Sequence, residues 1–166
     1  MTRQGKLHLP DYLPYLLNRV GAAMVARFTQ DALAQHGLSI ATWRVLVALS
    51  DLGPQRLVDL SDLTSIDAST LSRLVTRLIR MGLVTRARSR LSNREVTIGL
   101  TPKAGTLIGR LIPVARQLER DAIAGLRPAE LAAAKRALRR MYQNIGPGAV
   151  TDRSAPTRKR ARKTRR

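Results

Sequence analysis

The spacing of apolar residues changes at Gly82, and this change constrains the fold more than any other feature of the chain. Before Gly82, apolar side chains recur every three or four positions, as in an amphipathic helix. They are Leu71, Leu74, Val75 and Leu78. After it, residues 83–88 and 95–100 alternate apolar and polar side chains, as half-buried strands do. The sequence therefore predicts a helix that is capped by Asp67, ends at Gly82 and leads straight into a β-hairpin.

Three helices are predicted before this point. The first spans residues 11–35, starts with Asp11 near its N-cap and is stopped by Gly37. Ser39 caps the second, which ends at Gly53-Pro54. A short third helix is predicted over residues 56–63, with its leucines facing inwards. These are Leu57, Leu60 and Leu63. Two short helices, a turn, a further helix and a hairpin form a winged helix-turn-helix.

Two more helices are predicted after the hairpin. The first is capped by Thr101, has Pro102 at its first position and runs to about residue 125. The second begins at Pro128 and runs to Gly146. We therefore expect a flexible arm at 1–10, one mainly α domain at 11–146 whose winged helix-turn-helix part is about 39–100, and a disordered basic tail at 147–166.

The predicted helix before Gly82 has an outward face of hydroxyls and arginines, and it contains no acidic residue. The second helix of a helix-turn-helix lies in the major groove, where Arg bonds guanine and Ser or Thr is an adaptable partner. We predict base or backbone contacts from Ser69, Thr70, Ser72, Arg73, Thr76, Arg77 and Arg80. Thr64 and Ser65, in the turn before the helix, are predicted to bond phosphates. The alternative is an ordinary solvated basic face.

The hairpin is also basic. Its predicted contacts with the minor groove are Arg86, Arg88, Arg90 and Arg94. A narrow minor groove attracts arginine because its negative potential is enhanced. This second basic element follows the first at the position that a wing would occupy.

The strings "ATWRVLVALSDLG", "DASTLSRLVTRLIRMGLVTR" and "SNREVTIGLTPKAG" resemble successive signatures of the MarR family of bacterial transcriptional regulators, over roughly residues 11–145. The resemblance implies a winged helix-turn-helix homodimer on a palindromic operator. It also implies a repressor that releases DNA when a phenolic or aromatic acid binds. One position departs from the family pattern: Ser92 stands where the wing usually has an aspartate, so Arg94 lacks an ionic brace.

The N- and C-terminal helices carry more apolar surface than a DNA-reading domain needs, which predicts that they form a dimer interface. The predicted interface residues are Leu13, Leu16, Leu17, Leu107, Leu111, Leu131, Leu138 and Ile145. Packing of these side chains within one subunit is the alternative.

A ligand site is also predicted. In the family, ligand pockets lie between the dimer helices and the DNA-reading part. The candidate residues are Arg19, His36 and Trp43. Trp43 could equally belong to the core and Arg19 to the surface. An aromatic acid or its coenzyme A thioester is the expected effector class.

Charge and composition narrow the function. The 166 residues include 30 Lys and Arg against 11 Asp and Glu, a formal net charge of +19, which favours polyanionic partners. With no cysteine and two separated histidines, we expect neither a metal, a cofactor nor an enzyme's catalytic group. The chain has no span of membrane-crossing length, so a cytoplasmic protein is expected.

Eight basic residues lie within 153–166, and they suit either an electrostatic DNA arm or a solubilising terminus. The strong positive charge also leaves open a second function. The protein could coat nucleic acid without sequence preference or ligand control.

Overall fold

A computed structural model of the chain describes residues 7–88 and 96–146. Six α-helices are present in these ranges: α1 (Leu13–Phe28), α2 (Ile40–Leu52), α3 (Leu57–Thr64), α4 (Ala68–Arg80), α5 (Pro102–Ala122) and α6 (Pro128–Ile145). Three strands are present: β1 (Gln55–Arg56), β2 (Val84–Arg88) and β3 (Val96–Leu100). The mainly α fold with a small β wing is therefore confirmed.

The strands form one antiparallel sheet in the order β1-β3-β2. Val84 of β2 faces Leu100 of β3, and Gln55 of β1 faces Ile98. The sequence predicted the β2–β3 hairpin but not β1. A strand of two residues is too short for a period to be visible, and its partner is more than forty residues away in the chain.

The predicted first helix changes its winding instead of running unbroken to residue 35. α1 has Tyr12, not Asp11, at its N-cap, and it is followed by a π-helical turn over Thr29–Leu33 and a 3₁₀ turn over Ala34–His36. This change of winding allows Phe28, Ala32 and Leu33 all to be buried. Gly37 ends the segment with φ +64°, as its position predicted.

The other helix boundaries follow local signals. The Ser39 hydroxyl accepts from the Thr42 amide at 3.2 Å, while the Thr42 hydroxyl accepts from the Ser39 amide at 2.8 Å. The Thr101 hydroxyl likewise accepts from the Ala104 amide at 3.2 Å. These reciprocal or single caps satisfy amides that the first turn of a helix leaves free.

The core is aliphatic and lies between the helices and the sheet. Its fully buried members include Leu33, Leu46, Leu60, Leu71, Leu78, Leu83 and Ile98. Leu63 is an exception to the prediction, because half of it is exposed. α3 starts one residue later than expected, so Leu60 and Thr64, four residues apart, occupy its inward face instead.

The chain divides into a larger unit that ends at Ala124 and a smaller unit that begins at Gly125. The larger unit contains α1 to α5 and the sheet. The smaller unit contains α6, in which none of the described residues is buried.

Candidate nucleic-acid interface

The N-terminus of α4 is organised by Asp67. Its carboxylate accepts from the Thr70 amide at 2.9 Å and from the Ser69 hydroxyl at 2.7 Å. The hydrogen bond from the Thr70 amide has the larger effect and that from the Ser69 hydroxyl the next. Together they hold the pKa of the Asp67 carboxyl well below its usual range. Asp67 is thus the N-cap that the sequence predicted. It also fixes the direction of the Ser69 hydroxyl.

The two faces of α4 are sharply different. Leu71, Val75 and Leu78 are completely buried and fix the helix against the core. The opposite face is exposed, apart from a half-buried Ser72. A shallow groove of about 260 Å³ runs along it, lined by Ser72, Arg73, Thr76, Arg77 and Arg80. Five of the seven side chains predicted for this helix therefore border one surface.

Two of these side chains also bond within the protein. The Arg77 guanidinium donates to the Gly37 carbonyl at 2.8 Å, which ties α4 to the turn before α2. The Thr76 hydroxyl donates to the Ser72 carbonyl at 2.9 Å, within the helix. Arg77 thus has a positioning contact that the spacing of the sequence could not indicate.

The turn before α4 separates its two predicted phosphate contacts. Ser65 is exposed and has a left-handed backbone, with φ 53°. Thr64 is buried at 6% exposure, and its hydroxyl donates to the Leu60 carbonyl inside α3. The structure therefore corrects the role expected for Thr64: its side chain stabilises the end of α3 and is not available to DNA.

The wing is described only in part. Arg86 is exposed on β2, where it is paired in register with Ile98. The backbone of Arg88 ends β2. The side chain of Arg88, and the predicted contacts Arg90 and Arg94 together with Ser92, lie outside the described residues.

A second concave region lies beside the end of α4. This cleft has a volume of about 620 Å³ and is lined by His36, Met81, Leu83, Lys103, Thr106, Leu107 and Arg110. The Lys103 ammonium donates to the Met81 carbonyl at 2.9 Å. None of the described residues that line the cleft is acidic. The cleft thus combines an apolar floor with cationic walls.

The three predicted ligand residues are not brought together. His36 lines the cleft, but Trp43 packs edge-to-face on Phe28 with ring centroids 5.3 Å apart, beside a different groove. Arg19 lies on α1 with its guanidinium 5.7 Å from the Tyr15 ring centroid. The structure therefore contradicts a single site made by all three.

Sequence reasoning missed Lys103 and Arg110 as cleft residues. A signal for them was present, because positions 103, 106, 107 and 110 follow the spacing of one helix face. That face carries a cation at each end. It could not be recognised as a cleft wall without knowing that the end of α4 lies opposite.

The predicted interface residues differ in exposure. Leu13, Leu16 and Leu17 are 41–44% exposed on α1. In the smaller unit, Leu138 and Ile145 are exposed and Leu131 is half-buried. Leu111 is only 2% exposed, because it belongs to the core of its own unit, and Leu107 lines the cleft. Leu111 is therefore not free to form a dimer interface, contrary to the prediction.

Within residues 7–88 and 96–146, no group of three or more potential ligand side chains could hold a metal ion. In the same residues no helix is both long enough and apolar enough to cross a bilayer.

The protein is a winged helix-turn-helix protein. This class is defined here by the helices α2 to α4, of which α4 exposes its arginines, and by the three-stranded sheet. A family model described as MarR family matches residues 36–95. The chain belongs to the MarR family, whose members are transcriptional regulators rather than enzymes.

The chain is 31% identical over 134 residues to the transcriptional repressor NicR of Pseudomonas putida, covering 81% of this chain and 84% of NicR. Among solved structures, BpsR of Bordetella bronchiseptica, whose DNA binding is regulated by 6-hydroxynicotinic acid, shares 33% identity at a TM-score of 0.73. That match covers 82% of this chain and 97% of BpsR. A MarR-family regulator from Silicibacter pomeroyi shares 30% identity at a TM-score of 0.75, over 85% and 97% of the two chains.

Proposed function

We propose that the protein is a homodimeric repressor that binds a palindromic operator and releases it when a small aromatic acid binds. The observation that carries the proposal is the outward face of α4. It presents exposed hydroxyls and arginines on a helix that contains no acid and whose opposite face is locked into the core.

In this proposal α4 enters the major groove. Ser69, Thr70, Arg73, Thr76 and Arg80 contact base edges or the adjacent backbone, and Ser72 lies behind them. Ser65 and the amides near the start of α4 approach phosphates. The wing arginines, Arg86, Arg88, Arg90 and Arg94, enter the minor groove on one side.

The proposed dimer rests on apolar surface that each subunit leaves uncovered. Leu13, Leu16 and Leu17 are exposed on α1, and Leu138 and Ile145 are exposed on α6. Joining two subunits through such helices would place two copies of α4 about one DNA turn apart, roughly 34 Å, and this spacing requires a two-fold symmetric operator.

The proposed effector site is the cleft beside α4. Its apolar floor suits an aromatic ring, and Lys103 and Arg110 supply positive charge for a carboxylate. The regulation of BpsR by 6-hydroxynicotinic acid supports a hydroxylated pyridine carboxylate as the first compound to test. The cleft is open at its mouth, so a coenzyme A thioester remains a second effector class.

The test is a gel-shift titration against the DNA upstream of the protein's own gene, at physiological salt and with excess random duplex. Each titration is repeated with 6-hydroxynicotinic acid, with other aromatic acids and with their coenzyme A thioesters. We expect a preference for the upstream DNA of roughly a thousandfold or more over random duplex. We expect one acid to abolish the binding.

If the upstream DNA bound no more tightly than random duplex, the result would support the other candidate, a protein that coats nucleic acid without sequence preference. Its supporting observation is the net charge of +19. If binding were specific but no compound weakened it, the proposed role as a repressor would stand and the proposed release by an aromatic acid would be rejected.

A further inference from the structure

The last backbone carbonyls around the end of α4 are held by the beginning of α5. The Lys103 ammonium donates to the Met81 carbonyl at 2.9 Å, and the Thr101 hydroxyl donates to the Gly82 carbonyl at 2.8 Å. The Thr101 amide donates to the Leu83 carbonyl at 3.1 Å. Carbonyls at a helix C-terminus carry partial negative charge, so a cation there is favourable. The placement of this end of α4 therefore depends on α5.

Lys103 is also a wall of the cleft. Arg110 lines the same cleft. It lies two turns after Lys103 on α5, about 10.5 Å further along the helix axis. Between these cations lie Thr106 and the half-buried Leu107. The cleft thus offers room for a flat apolar group with an anionic end close to Lys103.

We infer that Lys103 is the residue through which a ligand in the cleft acts on α4. A carboxylate bound in the cleft takes the Lys103 ammonium away from the Met81 carbonyl. The inference rests on the proposed function, because it assigns the regulatory step of that same site. A carboxylate offers the ammonium a full negative charge where a carbonyl offers only a partial one, and the flexible lysine stem allows the exchange.

The exchange has a direct consequence for the DNA-facing side. Once Lys103 leaves, the Met81 carbonyl loses its charged donor, while Thr101 still bonds the Gly82 and Leu83 carbonyls. Arg77 and Arg80 lie in the last turn of α4 and are displaced with it. Arg77 adds a second link, because its bond to the Gly37 carbonyl reaches the turn that carries His36, which is also a cleft residue.

The first arm of the test uses the free protein and no DNA. Amide hydrogen exchange is measured over residues 78–83 in the wild type, Lys103→Met, Lys103→Arg and Arg110→Met. We expect Lys103→Met to speed exchange there roughly threefold to tenfold, the range for the loss of one hydrogen bond. Lys103→Arg should keep most of the wild-type protection against exchange. Arg110→Met, which removes the other cation of the α5 wall, should leave it unchanged.

The second arm adds benzoate, nicotinate or 4-hydroxybenzoate as an aromatic carboxylate probe. At least one should speed exchange at 78–83 in the wild type. The same probe should speed exchange at 78–83 in Arg110→Met, but only at a higher probe concentration. In Lys103→Met it should cause no further increase in the exchange rate. Equal exchange in Lys103→Met and wild type, or no effect of any probe on the wild type, would overturn the inference. These results stand whether or not the upstream DNA binds.

The third arm separates a positioning role from a direct phosphate contact. We expect Lys103→Met to weaken operator binding while the slope of log affinity against log salt stays the same. A slope that is shallower by about 0.9, the value for one lost phosphate contact, would instead show that Lys103 acts on the DNA itself and would overturn the inference.

Discussion

Arg73 lies in the middle of the outward face of α4, exposed and beside Thr76 in the shallow groove. Its neighbours on that face are hydroxyls and arginines, so its guanidinium meets no acid on its own helix. Such a side chain can bond both acceptors of a guanine through its planar fork of donors, which lysine lacks.

We expect Arg73→Ala to weaken operator binding by roughly 1–3 kcal/mol and to relax the preference at one base pair of each half-site. Binding to random duplex should change much less. Competition gel shifts against a set of single-base operator variants measure both effects. Arg116→Ala, which removes an exposed arginine of α5, is the matched control. Equal losses for Arg73→Ala on operator and random DNA would assign Arg73 to the backbone alone.

Asp67 acts at the residue scale through its charge. The hydrogen bonds from the Thr70 amide and the Ser69 hydroxyl lower the pKa of its carboxyl in the folded protein. Its contribution to stability is therefore fully present above the unfolded pKa, near 4, and is lost as pH falls through the lower folded value.

We expect Asp67→Ala to lower Tm by a few degrees at pH 7, and we expect this difference from wild type to close as the pH is reduced below about 4. Asp67→Asn keeps an oxygen acceptor for the cap and should lose less. Thermal denaturation followed by circular dichroism between pH 7 and pH 2 measures the difference. A gap that is the same at every pH would exclude the charge as the cause.

At the scale of the element, the turn between α4 and β2 sets where the wing begins. Gly82 has φ +69°, and a Cβ added there would lie 4.0 Å from the Lys103 ammonium nitrogen. The cost of a side chain at this position is therefore mainly the left-handed backbone rather than a clash.

We expect Gly82→Ala to reduce the free energy of unfolding by about 1–2 kcal/mol. Gly109→Ala is the matched control, since Gly109 lies inside α5 with open space around it. That substitution should raise stability by up to about 1 kcal/mol, the helix propensity difference. Chemical denaturation measures both. A loss in both variants would mean that α5 has a second constraint at Gly109.

At the scale of the whole molecule, assembly depends on apolar side chains that a single subunit leaves exposed. Leu16 is 41% exposed on α1. A glutamate there is tolerated in the monomer, but it would have to be desolvated without a partner in the proposed interface.

We expect Leu16→Glu to give a folded monomer at micromolar concentration and to lose operator binding. Val58→Glu is the matched control, because Val58 is 66% exposed on α3 and outside the proposed interface. Sedimentation equilibrium gives the mass, and circular dichroism checks the fold. A dimeric Leu16→Glu protein would remove α1 from the interface.

The basic tail is also a property of the whole molecule. Residues 153–166, outside the described part of the chain, carry eight basic side chains. If they act as an electrostatic arm, deleting them should make the salt dependence of DNA binding shallower by about 0.9 for each phosphate they neutralise. Replacing the eight side chains with serine at constant length is the control. An unchanged slope would leave the tail a solubilising terminus.

Local signals in the sequence were sufficient for most helix boundaries. Ser39, Asp67 and Thr101 cap the helices that their positions predicted, and Gly37 and Gly82 end segments in the left-handed conformation. The physical reason is that a cap or a helix stop depends on a few neighbouring residues. The apolar stripe of α4 was equally reliable, because Leu71, Val75 and Leu78 are all buried.

Contacts between distant segments were not predictable in this way. The burial of Thr64 and Leu111, the bond from Arg77 to Gly37 and the two-residue strand β1 each depend on what lies opposite in space. Spacing indicates which side chains share a face, but not which neighbour covers it. For the same reason Arg19, His36 and Trp43 did not form one site.

The sequence by itself determined the order of the six α-helices and of the β2–β3 hairpin, the outward face of α4 and the family, because these follow from periodicity, capping chemistry and motif. The tertiary structure alone decided that α5 meets the end of α4 at Lys103 and that a cleft opens beside this contact. The contact joins residues more than twenty positions apart, and only packing of the whole larger unit brings them together.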